Sequence, residues 1–183
     1  MKKLLKNLIP EWVFLVYHWK LAWLAALRYG FPARKLVMIG ITGTKGKTTT
    51  ANFIWSVLEY GGFKSGLIGT ANIRIGEVET MNEYHMTMPG PFVIQKILRS
   101  MVDAGCQYCV MEATSEGLKQ WRHKGIWFDI AVFTNLTPEH LPSHGGSFDK
   151  YESAKGRLFA SLDCHFRKYI NGKQVSTLSI VNR

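Results

Sequence analysis

Residues 36–60 read LVMIGITGTKGKTTTANFIWSVLEY, and the order of their patterns decides the fold. The β-branched run Leu36–Ile41 predicts a strand, and a glycine-bearing turn, Thr42–Lys47, follows it. From Thr48 to Tyr60 the apolar spacing is helical until Gly61-Gly62 stops it. A strand, a glycine turn and a helix start in that order aim backbone N–H groups and the positive end of a helix at an anion. The stretch Gly43-Thr44-Lys45-Gly46-Lys47-Thr48-Thr49 is therefore expected to cradle a nucleoside triphosphate, with Lys47 on the β and γ phosphates and the Thr48 hydroxyl on Mg²⁺. The strict phosphate-loop pattern asks for glycine at position 41, where this chain has Ile41. The strand-to-helix setting outweighs that miss.

Outward from this unit, strands and helices alternate. A short strand is expected near Gly66–Thr70, a hairpin over Ala71–Thr80 turning at Gly76-Glu77, and a long polar loop up to Pro91, the longest irregular stretch. Phe92–Ala104 reads as a helix closed by Gly105, Tyr108–Glu112 and Ile130–Thr134 as strands, and Phe148–Leu162 as a helix with Ala154, Leu158 and Phe159 on one side. Such alternation implies an α/β fold with a doubly wound, mainly parallel sheet, whose ligands bind past the carboxyl ends of the strands.

Charge divides the chain of 183 residues unevenly. Residues 1–35 hold seven basic residues and one acid, and residues 36–183 hold sixteen basic and twelve acidic ones. The predicted organisation is a basic, apolar helical arm (1–35) and a nucleotide-binding body (36–183). Within the arm, Trp12–Leu27 is strongly apolar but carries His18 and Lys20 and is shorter than the roughly 20 residues that span a bilayer. Lys2, Lys3 and Lys6 imitate the start of a signal peptide, without a small-x-small cleavage site behind them. Two readings stand for residues 1–30: a helix packed on the body by its Trp and Leu residues, or a helix in the membrane interface through Trp12, Trp19 and Trp23 beside lysines. Three cysteines make no disulfide framework, so a cytoplasmic setting is expected, with peripheral contact to the inner membrane face as the arm's second reading. The pair Cys106 and Cys109 is read as structural, His85, His123 and His165 as isolated, and Met86 and Met88 as packing. Nucleic acid is not an expected partner.

Four stretches fall in a telling order. Gly-Ile-Thr-Gly-Thr-Lys-Gly-Lys-Thr-Thr (40–49), Met-Glu-Ala-Thr-Ser-Glu-Gly-Leu (111–118), Phe-Thr-Asn-Leu-Thr-Pro-Glu-His-Leu (133–141) with His144-Gly145, and Tyr-Glu-Ser-Ala-Lys-Gly-Arg-Leu-Phe (151–159) resemble the Mur ligases, most closely the MurE-like members. Folate-polyglutamate ligases share the loop chemistry, but the second and third stretches sit closer to the muramoyl enzymes. The resemblance covers about Leu36 to Leu162.

It implies an ATP-dependent amide ligase of peptidoglycan precursor synthesis, in which a carboxylate of a UDP-N-acetylmuramoyl-peptide is activated as an acyl phosphate and attacked by an amino acid. By resemblance Thr48 and Glu112 hold one Mg²⁺, His140 helps hold a second, and Lys155 sits where the family carries a carbamylated lysine. Addition of CO₂ would reverse that lysine's sign beside the metals. Lys47, His140 and Lys155 are the implied catalytic residues. Thr87, Thr114, Gln120 and Arg122 match positions that touch the muramoyl-peptide; for Arg122 the alternative is a salt bridge on a surface helix. The family's second threonine after Thr87 is Met88 here, its usual His is Glu116, and Glu139 and Pro142 replace Asp. The family's UDP-binding and amino-acid-binding domains have no counterpart in these 183 residues, so the chain is read as a fragment, not competent alone. The alternatives are a nucleotide-binding module without ligation and a ligase acting on a lipid-linked precursor.

Overall fold

The computed structural model describes residues 10–139, 141–162 and 168–182. Lys2, Lys3, Lys6, His140, Cys164 and His165 lie outside them. The elements run α1 (Glu11–Arg28), a 3-10 turn (Pro32–Lys35), β1 (Val37–Thr42), α2 (Lys47–Tyr60), β2 (Ser65–Ile68), β3 (Asn72–Ile75) and β4 (Val78–Met81). They continue with α3 (Pro91–Asp103), β5 (Tyr108–Glu112), α4 (Ser115–Lys119), β6 (Ile130–Phe133), a 3-10 turn (Leu141–His144) and α5 (Phe148–Ala160). Last come the small hairpin of β7 (Tyr169–Ile170) with β8 (Lys173–Gln174), and β9 (Leu178–Val181).

One seven-stranded sheet has the order β4-β3-β2-β5-β1-β6-β9. Strands β2, β5, β1, β6 and β9 are parallel, and the β3–β4 hairpin extends the β2 edge antiparallel. The fold is α/β, as the alternation predicts. Because side chains alternate across a strand, the sheet feeds two cores. On one face Ile39, Ile41, Leu67 and Val110 meet Ala51, Ile54, Trp55 and Leu58 of α2. On the other, Met38, Ile68, Cys109 and Met111 meet Ile94, Leu98 and Met101 of α3 and Leu158 of α5.

The arm packs on the body, as the first reading expects, but mainly through small residues and not through its Trp and Leu side chains. Helix α1 docks against α3 through its small residues: Ala22, Ala25 and Ala26 are fully buried, and a Cβ added at Gly125 would fall 2.5 Å from that of Ala26. Alanine lets the helix approach closely, whereas Trp12, Trp19, Leu24 and Leu27 face outward. Trp23 alone of the arm's indoles joins the body, edge-on to Trp127 at 5.9 Å and to Phe31 at 6.3 Å.

A buried ion pair closes the amino end of the sheet. Lys168 Nζ donates to Asp129 Oδ2 at 2.6 Å and to the Leu36 carbonyl at 3.0 Å, while the same Asp129 oxygen accepts from Met38 N at 2.7 Å. Burial pushes the Asp129 carboxyl up, and Lys168 acts against that shift. The irregular stretch between α4 and β6 runs one residue longer than the polar loop before α3, which corrects the expected ranking of the loops.

Candidate functional site

The loop between β1 and α2 is set by two glycines. Gly43 has φ +149°, and a Cβ there would fall 1.9 Å from Thr134 Oγ1. Gly46, at φ +80°, starts α2 without a side-chain cap, so the first-turn N–H groups keep their positive end open toward the cleft. The segment after β6 clamps the loop. Thr44 N donates to the Asn135 carbonyl (3.0 Å), Lys45 N to Asn135 Oδ1 (2.9 Å), Thr137 N to Thr44 Oγ1 (3.0 Å), and Thr134 Oγ1 to the Lys45 carbonyl (2.7 Å). From α5, the buried Tyr151 hydroxyl lies 3.0 Å from Thr44 Oγ1.

Two lysines converge behind this loop. Lys47 Nζ donates to the carbonyls of Gly43 (2.9 Å) and Thr44 (2.8 Å), and Lys155 Nζ donates to the same Gly43 carbonyl at 2.6 Å. Burial lowers the Lys47 ammonium, with Glu112 and Glu139 opposing. Lys155, only 3% exposed and 4.4 Å from the centre of the Tyr151 ring, is pushed down to about 7 by burial and then by the Lys47 charge. Among the described residues no carboxylate bonds to either amine.

Across from them, at the end of β5, the fully buried Glu112 collects donors. Its Oε2 accepts from Thr48 Oγ1 (3.0 Å) and Thr70 Oγ1 (2.9 Å), and its Oε1 from Thr70 N (2.8 Å). Thr70 Oγ1 also lies 3.0 Å from Thr87 Oγ1. A carboxylate ringed by hydroxyls is an all-oxygen donor set, which suits a hard cation such as Mg²⁺. Among the described residues no group of three His, Cys, Asp or Glu side chains could hold a metal.

The cleft, about 610 Å³, continues from the loop past Thr87, Met88 and Thr114 to Glu116 and Arg122. Thr114 caps α4 by accepting from Gly117 N at 3.2 Å. Arg122 is buried, not on a surface helix. Its Nη1 donates to the Met88 carbonyl, and its Nε (3.1 Å) and Nη2 (2.7 Å) donate to Gln120 Oε1, whose amide reaches Glu116 Oε1 at 3.2 Å.

The cleft wall thus brings together Gly43, Thr44, Gly46, Lys47, Thr48, Thr49, Thr87, Glu112, Thr114, Arg122 and Lys155. It does not include Lys45, whose exposed ammonium pairs with Glu139 at 2.8 Å, or Gln120, which stands behind Arg122. Thr70 and Tyr151 also take part, although the sequence alone assigns neither a role. Thr70 falls two residues past β2, at a strand's carboxyl end where ligands gather, and that was the available signal. Two histidines turn out to be packing groups. His123 is buried with its ring held down to about 3, by burial first and by Lys124 and Arg157 next, and His144 Nε2 lies 3.1 Å from Ser115 Oγ. Cys106 and Cys109 are both buried, and burial raises both thiols.

Residues 41–180 match the Mur ligase middle domain. The chain belongs to the Mur ligase family. Among curated Mur ligase relatives it is 47% identical over 144 residues to the UDP-N-acetylmuramyl-tripeptide synthetase of Roseiflexus sp., an alignment covering 78% of this chain and 28% of that protein. It is 43% identical over 144 residues to the UDP-N-acetylmuramoyl-L-alanyl-D-glutamate--2,6-diaminopimelate ligase of Geobacillus kaustophilus, again over 78% of this chain and 28% of the relative. The chain therefore spans little more than a quarter of the length of these relatives. A solved structure of a UDP-N-acetylmuramoyl-L-alanyl-D-glutamate--2,6-diaminopimelate ligase superposes with TM-score 0.61 at 32% identity, over 68% of this chain and 24% of that one. Escherichia coli FolC, in complex with DHPP and ADP, superposes with TM-score 0.62 over 82% of this chain and 44% of that one; at 18% identity this likeness is one of fold alone.

Proposed function

We propose that residues 36–183 form the ATP-binding unit of a ligase of peptidoglycan precursor synthesis, preceded by the arm 1–35. In this reading a muramoyl-peptide carboxylate takes the γ-phosphoryl group of ATP, releasing ADP, and an amino acid then displaces phosphate to leave an amide. The observation that carries it is the cleft itself, with a phosphate loop at one end and the buried Arg122 guanidinium at the other. The N–H groups of α2 and Lys47 suit the triphosphate. Thr48 and Glu112 fit a Mg²⁺ ion, which when bound would offset the charge gathering on the phosphates. Thr87, Thr114 and Arg122 face the acceptor, with Gln120 holding the guanidinium plane. The amino acid is assigned to a part of the ligase outside these residues, and the chain alone is expected not to complete the amide.

Carbamylation of Lys155 belongs to the same reading. Its amine is buried against a second ammonium on one shared carbonyl, and a base held near 7 presents the neutral form that attacks CO₂. The carbamate oxygens and His140 would then serve a second Mg²⁺. With ¹³C-bicarbonate, a carbamate carbon signal should appear in the wild type and vanish in Lys155→Met.

The chain is placed in the cytoplasm, with residues 1–30 in peripheral contact with the inner membrane face. A lipid-linked acceptor is the second reading, favoured by the exposed apolar side chains of α1, a helix whose half-buried His18 lies near Arg122.

Hydroxylamine tests the activation step without needing an amino-acid site. Given ATP, Mg²⁺ and a muramoyl-dipeptide nucleotide, the chain should form an acyl hydroxamate and one ADP for each hydroxamate. ATP binding with no acceptor-dependent hydroxamate would instead mark a nucleotide-binding module without ligase chemistry.

A further inference from the structure

Helix α1 carries apolar side chains on its outward side as well as on its docked one, broken by Lys20 and Arg28, and apolar surface grouped on the outside calls for a partner. The body covers only one side. The alanine stripe is fully buried, yet Trp12 is 66% and Leu27 64% exposed, with Val16, Trp19 and Leu24 exposed along the same outward arc. Trp19, Trp23, Leu24, Leu27 and Phe31, with Lys20, wall a shallow apolar groove of about 350 Å³ on that side. Among the described residues no helix is long and apolar enough to cross a membrane. A helix of this length, held by one face and bare on the other, suits an interface and not a span.

We infer that the outward face of α1 seats flat in an anionic membrane surface, while its alanine face stays docked on the body. Charge selects this occupant over a second copy of the chain. Residues 1–35 carry seven basic residues against one acid, with Lys20 and Arg28 exposed on α1 itself. Two copies meeting through this face would bring two such arms together, whereas an anionic headgroup layer complements them. The indoles have the amphipathic shape that settles at the headgroup level. The inference rests on the peripheral part of the proposed function and not on ligation. It also gives the acceptor end of the cleft a direction: segment 120–129, which carries Arg122, touches α1 through Gly125 and Trp127, so that end lies on the membrane side of the molecule.

Flotation of the full chain with vesicles tests this. The wild type should float with phosphatidylglycerol–phosphatidylcholine vesicles, float less as salt rises, and stay behind with phosphatidylcholine alone. The double variant Trp19→Glu/Leu27→Glu alters only exposed side chains and should bind the anionic vesicles at least about tenfold more weakly. Its ATP affinity should match the wild type, so a failure of the nucleotide reading shows in calorimetry and not in flotation. Equal flotation of variant and wild type overturns the inference. So does a wild type that ignores anionic vesicles at low salt, and a dimer that the double variant dissolves would then name a second copy as the occupant.

Discussion

At the amino end of β1, Lys168 is buried against a carboxylate and two backbone carbonyls; at the carboxyl end of the same strand, the buried Lys155 and the half-buried Lys47 donate to carbonyls and, among the described residues, to no carboxylate. The first arrangement is complete in itself. Its cation has an anion, and the same oxygen of that anion also accepts from Met38 N. The second concentrates positive charge on one side of a cleft and leaves it to be answered by whatever enters. One strand thus carries a closed electrostatic arrangement at one end and an open one at the other, and a buried lysine reads as structural or functional according to whether its counter-charge belongs to the chain.

Breaking the closed end should have the largest effect. Asp129→Asn leaves Lys168 buried without its anion and should lower stability by about 3–5 kcal/mol, measured by urea unfolding, with ATP affinity in the surviving folded protein unchanged. Breaking the open end should do the reverse. Lys47→Ala should weaken ATP·Mg²⁺ binding by about 3 kcal/mol, roughly a hundredfold by calorimetry, and leave the unfolding midpoint nearly in place. Equal losses of stability in the two variants would erase the contrast.

A third measurement sharpens it through pH. Lys155 in the folded, ligand-free chain releases its proton near pH 7, well below an unfolded lysine. Between that value and the ordinary lysine range the unfolded chain binds more protons than the folded one, so stability rises with pH, by up to about 1.4 kcal/mol per unit. The penalty of burying the unanswered charge is fully present below pH 7. In CO₂-free buffer Lys155→Met should flatten this slope, and an unchanged slope would show that the open end carries no such penalty.

What was legible in the sequence follows the range of the interactions. The β1–α2 unit could be read because Gly43, Gly46 and Lys47 act within a few residues of one another, and strands β5 and β6 because their apolar runs are continuous. Asp129 and Lys168 gave no local sign, since the pair is made across 39 residues and neither neighbour pattern marks it. Arg122 was visible as a residue but not as a buried one: it sits in an irregular segment, where no periodicity assigns a face. In α1 the apolar content was plain, while the docking face was not, because alanines and large side chains both count as apolar and only their sizes decide which side fits against α3. Thr48 and Glu112 were named together by resemblance, and the structure sets their oxygens 3.0 Å apart; His140 lies outside the described residues.

Segment 120–129 touches the cleft with Arg122 and the N-terminal helix with Gly125 and Trp127. Such a shared wall has a thermodynamic meaning. Any factor by which occupancy of the Arg122 end alters the hold of α1 on its surroundings must equal the factor by which that hold alters affinity at Arg122. The segment is where a coupling free energy between the two would be carried, and either side would measure it.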